Sequence, residues 1–193
     1  MENLFVIVTR IKMERYFVRE IEIPEGCTIE VNNRIIKVTG AKGTVERDIK
    51  NKLLKHDIQK DKIVLFGEKG TKPYKKIVLT FVAHINNMFK GVVKGHVYKL
   101  KVCSGHFPMT AAIKGDTFEL KNFIGEAKPR KLKLNLDSVS VKVNGTDIVV
   151  EGIDKEKTAQ TAASIESLTK RPGFDKRIFQ DGIYIINKDG KAI

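Results

Sequence analysis

Apolar residues recur at helical steps along one stretch of the chain: Ile77, Phe81, Ile85, Met88 and Val92, with Val78, Val82 and Phe89 widening the stripe. That spacing predicts a helix with one face on a sheet. Pro73 suits its first turn. Gly91 and Gly95 are candidate stops, and Lys90 and Lys94 stand near its negative end. Many of these residues are β-branched, so packing rather than propensity must hold the helix. A second helix follows Asp154, a ready N-cap, with Ala159, Ala162, Ala163, Ile165 and Leu168 inward. Its small alanines allow close approach to a sheet. Arg171-Pro172-Gly173 ends it.

Elsewhere the pattern is the two-residue period of strands. Val97 to Val102 alternates apolar and basic residues, and Lys131 to Leu136 alternates leucines inward with lysines and Asn135 outward. Met109–Ile113 and Thr117–Leu120 flank a hairpin turn at Lys114-Gly115-Asp116, and Gly43–Ile49 and Lys62–Phe66 are strand-like. Residues 29–40 align without a gap on residues 141–152, 112 positions later, each reading strand, tight turn, strand, closing glycine. A period of half the chain excludes a solenoid. Each copy then runs hairpin, helix, and a strand with an apolar-Tyr pair (Val97-Tyr98, Ile183-Tyr184), and residues 41–72 read as an extra segment in the first. The fold expected is α+β: two tandem similar domains from an internal duplication, each a mostly antiparallel sheet packed against one main helix. The boundaries expected are an extension over 1–15, a first domain over 16–95 and a second over 96–193.

Charge changes the picture from fold to partner. The net charge is +13, with 31% of residues charged and 41% hydrophobic. A globular chain this basic meets a polyanion. From Lys69 to Gly115 there are nine lysines and no Asp or Glu, where about five or six acids would be expected. Solvated faces normally mix signs, so this tract reads as a polyanion-facing surface, with Lys94 and Lys114 among its candidate RNA contacts. No run of apolar residues is long enough to cross a membrane, and the start lacks the features of a signal peptide. Cys27 and Cys103 have no metal or redox spacing and fit a reducing, intracellular compartment.

Candidate chemistry is sparse. His56, His84, His96 and His106 form no HxxxH or HExxH pair, so no metal or other cofactor is expected. Gly40–Thr44 and Gly67–Lys72 lack the frame of a phosphate loop. No acid, base and oxyanion stabiliser assemble, so neither catalysis nor a small-molecule substrate is expected. Two basic loops remain. Gly125–Lys131 carries Lys128, Arg130 and Lys131; Lys170–Arg177 carries Lys170, Arg171, Lys176 and Arg177. Proline and glycine hold such loops open along a phosphate chain. Phe123 and Phe174 beside them read as core anchors more than stacking platforms. No short-sequence RNA motif is present, so recognition would be of RNA shape.

Several segments together resemble a known family. They include Ile21–Gly26, Val38–Thr44, Phe89–Gly95, His106–Pro108, Asn122–Arg130, Gly152–Ala163 and Phe179–Tyr184. Over roughly residues 16–190 the chain is similar to the large-subunit ribosomal proteins called L-six in bacteria and L-nine in many eukaryotes. Asn-Phe-x-Gly-Glu and Asp-Gly-Ile-Tyr place the likeness in the archaeal–eukaryotic branch. The resemblance implies two similar α/β domains and a structural, non-catalytic role. It implies binding of large-subunit ribosomal RNA near the sarcin–ricin region and stalk base, beside neighbouring ribosomal proteins. It implies that the second domain makes the main RNA contacts, through Lys128, Arg130 and Lys131 with His106 nearby, and through Lys170, Arg171, Lys176 and Arg177. A cytoplasmic location on ribosomes follows, nucleolar during assembly in a eukaryote, with no membrane partner and no homo-oligomer. The competing class is a free-standing basic RNA-binding module outside the ribosome. Met13–Tyr16 would make a natural start for this branch, leaving residues 1–12 as an extension.

Overall fold

The computed structural model describes residues 17–32, 35–49, 54–58, 62–67, 69–136, 138–175 and 177–193. The expected N-terminal extension, the hairpin tip at 33–34 and Lys176 lie outside them. The chain divides into two compact units, Met1–Lys94 and Gly95–Ile193.

In the first unit the strands are β1 (Phe17–Glu22), β2 (Thr28–Asn32), β3 (Ile35–Gly40), β4 (Gly43–Asp48), β5 (Leu54–Ile58) and β6 (Lys62–Gly67), followed by helix α1 (Lys72–Val93). β2-β3-β4 is an antiparallel meander, and β1-β6-β5 a separate antiparallel sheet. Alternation decides the faces: Ile36 and Val38 of β3, Ile63 and Leu65 of β6 and Ile21 of β1 are buried. α1 lies on β1, β3 and β6 and reaches β4 and β5, burying Val78, Ile85, Met88, Phe89 and Val92 as its spacing predicts. Gly91 is a buried residue inside the helix, not a stop. Lys94 is the C-cap, and Gly95, at φ +80°, supplies the left-handed residue after it.

The second unit has β7 (His96–Cys103), β8 (Thr110–Lys114), β9 (Thr117–Lys121), β10 (Arg130–Lys133), β11 (Val139–Asn144), β12 (Asp147–Gly152), α2 (Lys155–Leu168), β13 (Gly182–Lys188) and β14 (Lys191–Ala192). β8-β9-β10 is a meander, and the main sheet runs β11-β12-β7-β13-β14. Asp154 caps α2, its side chain accepting from the Glu156 N–H at 2.9 Å. α2 lies on β7, β12 and β13 and reaches β10 and β11.

The duplication is present, but its register differs from the one expected. β5-β6 pairs with β1 as β11-β12 pairs with β7, so the order β1-β6-β5 repeats as β7-β12-β11. In the partner registers, Leu54↔Gly67 and Ile58↔Ile63 match Val139↔Gly152 and Val143↔Ile148, while Phe17↔Gly67 matches His96↔Gly152. Buried Ile63 and Leu65 thus answer to buried Ile148 and Val150, and Ile21 to Leu100. The counterpart of hairpin 141–152 is therefore residues 54–67, inside the segment expected to be extra. Residues 29–40 belong instead to the meander β2-β3-β4, whose counterpart is β8-β9-β10. Strand β7, expected to close the first copy, opens the second. The apparent match arose because strand, tight turn, strand and closing glycine is what any hairpin under a helix requires. A Cβ on Gly40 would meet Val92 Cγ2 at 2.8 Å, and one on Gly152 would collide with the Thr158 hydroxyl. Gly67 plays the true part of Gly152: its Cβ would come within 3.0 Å of Tyr74 in the first turn of α1.

Candidate nucleic-acid interface

Three connections of the second unit converge: 104–109 after β7, 122–129 between β9 and β10, and 169–181 after α2. The first is tied to the third by Asp181, the residue before β13. Its Oδ1 accepts from the N–H groups of Gly105 (2.6 Å) and His106 (3.0 Å), and its Oδ2 accepts from the His106 Nδ1–H at 2.5 Å. The Asp181 side chain is 1% exposed and that of His106 46%. Burial works to raise the Asp181 carboxyl, but the bonds from His106 and Gly105 outweigh it and hold it below the usual carboxylate range. The candidate contact His106 is thus fixed from behind and open in front.

The second connection is bent by left-handed residues: Asn122 (φ 57°), Ile124 (φ 47°) and Gly125 (φ 75°). For a β-branched residue such as Ile124 this conformation costs on the order of 1–3 kcal/mol and must be imposed by its surroundings. Phe123 imposes it from inside, buried in the core. The Asn122 side-chain amide donates to the Pro108 carbonyl at 3.0 Å, and Glu126 N–H to Phe123 O at 2.9 Å. Phe107 covers Gly125 from outside.

Arg130 welds this loop to the third. Its Nε and Nη2 donate to both oxygens of Glu126 at 2.8 and 2.7 Å, its Nη1 donates to Leu168 O at 2.7 Å, with Lys170 O at 3.4 Å, and its guanidinium carbon lies 4.2 Å from the Phe123 ring centre. The Arg130 hydrogen bonds hold Glu126 below the usual carboxylate range against the opposing effect of burial. α2 has no basic residue in its last turn, so Arg130 supplies the cation its C-terminal carbonyls attract. The same device stands in the first unit. Lys42, in the two-residue turn between β3 and β4, donates its N–H to Val92 O at 3.0 Å and its ammonium to Lys94 O at the end of α1.

On the third connection Arg171 lies 4.1 Å over the Phe174 ring, Phe174 meets Phe179 edge-on at 4.9 Å, and Phe179 meets His106 at 5.4 Å. Arg177 is bidentate on Asp175, which holds that carboxyl low and raises the guanidinium. Lys170 and Lys128 have exposed side chains with no ion-pair partner among the described residues. On the outer face of the meander, Lys114 and Lys131 flank Glu119 at 3.0 and 3.2 Å. Glu119 is 8% exposed, and its bonds from Lys114 and then Lys131 hold its carboxyl below the usual carboxylate range against the opposing effect of burial. Lys133 and Lys121 are exposed on that same face.

The structure thus joins the two basic loops, read separately in the sequence, into one cluster holding His106, Lys128, Arg130, Lys170 and Arg171. Lys131 and Lys114 adjoin it through β10. Arg177 is paired within its own loop, Lys176 is outside the described residues, and Lys94 belongs to the first unit. The acids that organise the cluster, Glu119, Glu126 and Asp181, were missed. Only Glu126, four residues before Arg130, carried a sequence signal. Among the described residues no group of His, Cys, Asp or Glu could hold a metal. His84 instead meets Arg47 at 3.2 Å, and buried His96 meets Asp189 at 3.0 Å.

The family model described as Ribosomal protein L6 matches residues 23–95 and 107–182, one segment in each unit. The chain is 43% identical over 176 residues to the large ribosomal subunit protein uL6 of Methanosarcina mazei, covering 91% of this chain and 99% of that one. It is 43% identical over 177 residues to that of Ignicoccus hospitalis, covering 88% and 93%. It is 44% identical over 171 residues to that of Staphylothermus marinus, covering 86% and 91%.

Proposed function

Since this chain belongs to the ribosomal protein L6 family, we propose that it binds large-subunit ribosomal RNA chiefly through its second unit, near the sarcin–ricin region and the stalk base. It is a structural constituent of the large ribosomal subunit, without catalysis, working on cytoplasmic ribosomes beside the proteins of the stalk base. The observation that carries the RNA reading is the cluster on the second unit. Lys128 and Lys170 are exposed and unpaired among the described residues, and Lys114 and Lys131 outnumber the Glu119 between them. Such cations position a protein on phosphates without reading sequence. Arg130 takes a different part from the one the resemblance implies. Its donors are spent on Glu126 and the end of α2, so it holds the loop that presents Lys128 rather than facing phosphate itself.

The test has two arms. The tagged protein should sediment with large subunits on a gradient and stay there through a moderate salt wash; residence mostly in the free pool would favour the free-standing module instead. An iron chelate tethered at a Lys128→Cys variant should cut ribosomal RNA near the sarcin–ricin region. Cuts confined to distant helices would remove that placement and leave ribosomal residence intact.

A further inference from the structure

Between the end of α2 and β13 lies a cleft of about 320 Å³, lined by Phe123, Ile124, Glu166, Arg171, Phe174, Phe179, Asp181 and Tyr184 among others. Its chemistry is wrong for phosphate. Its lining sets two carboxylates, Glu166 and Asp181, against two cations, the exposed Lys170 and Arg171, which lies over Phe174, so it carries no net positive charge. The walls are aromatic, with Phe174 and Tyr184 both substantially exposed. Asp181 is fully engaged by Gly105 and His106. Glu166 uses only Oε1, which accepts from Ile185 N–H at 3.3 Å, and its Oε2 makes no hydrogen bond among the described residues. The cleft therefore offers stacking surfaces, one open acceptor and a cationic lip.

We propose that this cleft receives a single unpaired nucleobase bearing an amino group, with its own phosphates held at the rim by Lys170 and Arg171. The proposal rests on the RNA-binding reading above and adds a base-dependent part to it. Unpaired RNA bases are taken up by stacking on aromatic rings or on the plane of an arginine, and Arg171 held over Phe174 presents such a plane. The exocyclic amine of adenine, cytosine or guanine donates to Glu166 Oε2. Uracil offers only its ring N3–H, flanked by two carbonyl oxygens that repel the carboxylate, so it binds less well.

The experiment compares full-length protein on three eight-nucleotide single strands: oligoadenylate, oligouridylate and an abasic ribose-phosphate strand carrying the same charge. At one fixed low salt, oligoadenylate should bind about ten-fold more tightly than the abasic strand, the scale of one base stack, with oligouridylate between them. Arg171→Lys keeps the positive charge but loses the flat guanidinium, so the ten-fold ratio should collapse toward one while affinity for the abasic strand stays unchanged. Glu166→Gln should shrink the preference for adenine over uracil. Equal binding of intact and abasic strands by the wild type, or a ratio that survives Arg171→Lys, overturns the cleft's role and leaves the phosphate reading standing. Binding of none of the three strands at low salt removes both.

Discussion

The two units build the same scaffold and finish it differently. Each runs strand, meander, hairpin and helix, with β1-β6-β5 repeated as β7-β12-β11. In each, a cation at the entry to the last meander strand reaches the helix C-terminus: Lys42, just before β4, to the end of α1, and Arg130, the first residue of β10, to the end of α2. In the first unit the connection into that strand is the two-residue turn 41–42. In the second it has become the bent loop 122–129, and a further segment, 169–188, follows the helix. Lys128, Lys170 and Arg171 of the candidate RNA cluster sit on these additions. The duplicated core supplies the shared scaffold, and the lengthened connections carry the proposed RNA contacts, in keeping with loops on a fixed scaffold carrying function.

The shared part of this comparison breaks most sharply at its glycines. Gly152→Ala should cost about 3 kcal/mol, because its methyl meets the buried Thr158 hydroxyl, itself bonded to Asp154 O, and the Ser138 carbonyl. Gly67→Ala, at the matching place, should cost roughly half that, since its Cβ meets Tyr74 at a tight but tolerable 3.0 Å. Denaturant midpoints would measure both. Negligible losses at both would mean that neither glycine is needed for its helix to approach the sheet.

The capping cations sharpen the comparison next. Arg130→Ala should lower stability by about 2 kcal/mol, losing the Glu126 pair and the Leu168 contact together. Lys42→Ala, exposed and making only the helix-end contact through its side chain, should lose about 0.5 kcal/mol. If thermal melts reverse that order, the cap in the second unit has not been reinforced.

A smaller effect separates the units by pH. Because the Asp181 carboxyl is held low in the fold, its stabilising effect is fully present above the ordinary carboxylate range and is lost as pH falls through its depressed value. Stability measured from pH 6 down to 2 should therefore show a steeper acid decline in the wild type than in Asp181→Asn. Parallel declines would mean that the His106 brace contributes nothing to this dependence.

Much of the scaffold was legible because it repeats on short periods. The stripe from Ile77 to Val92 reads as a helix face, and Lys131–Leu132–Lys133 as a strand with one wet side. The true register of the duplication was not legible. It rests on which strand pairs with which, and β1 and β5, short and rich in charge, hardly announce themselves as strands. The site was legible as charge and illegible as geometry. Lys128, Lys170 and Arg171 stand out in a sequence. That Arg130 turns inward, or that Asp181 reaches back to His106, depends on residues dozens of positions apart.

On the proposed reading, the second unit presents cations to RNA phosphates on a loop that Arg130 braces without itself binding RNA. The most direct measurement is a salt titration of full-length protein on a large-subunit RNA fragment containing the sarcin–ricin region, with thermal melts of each variant. Lys128→Ala and Lys170→Ala should each reduce the slope of log affinity against log salt by up to about 0.9 without moving the melting temperature. Arg130→Ala should lower the melting temperature and leave the slope of the folded protein nearly unchanged. An unaltered slope for both lysine variants, or a slope lost with Arg130 at an unchanged melting temperature, would contradict the account.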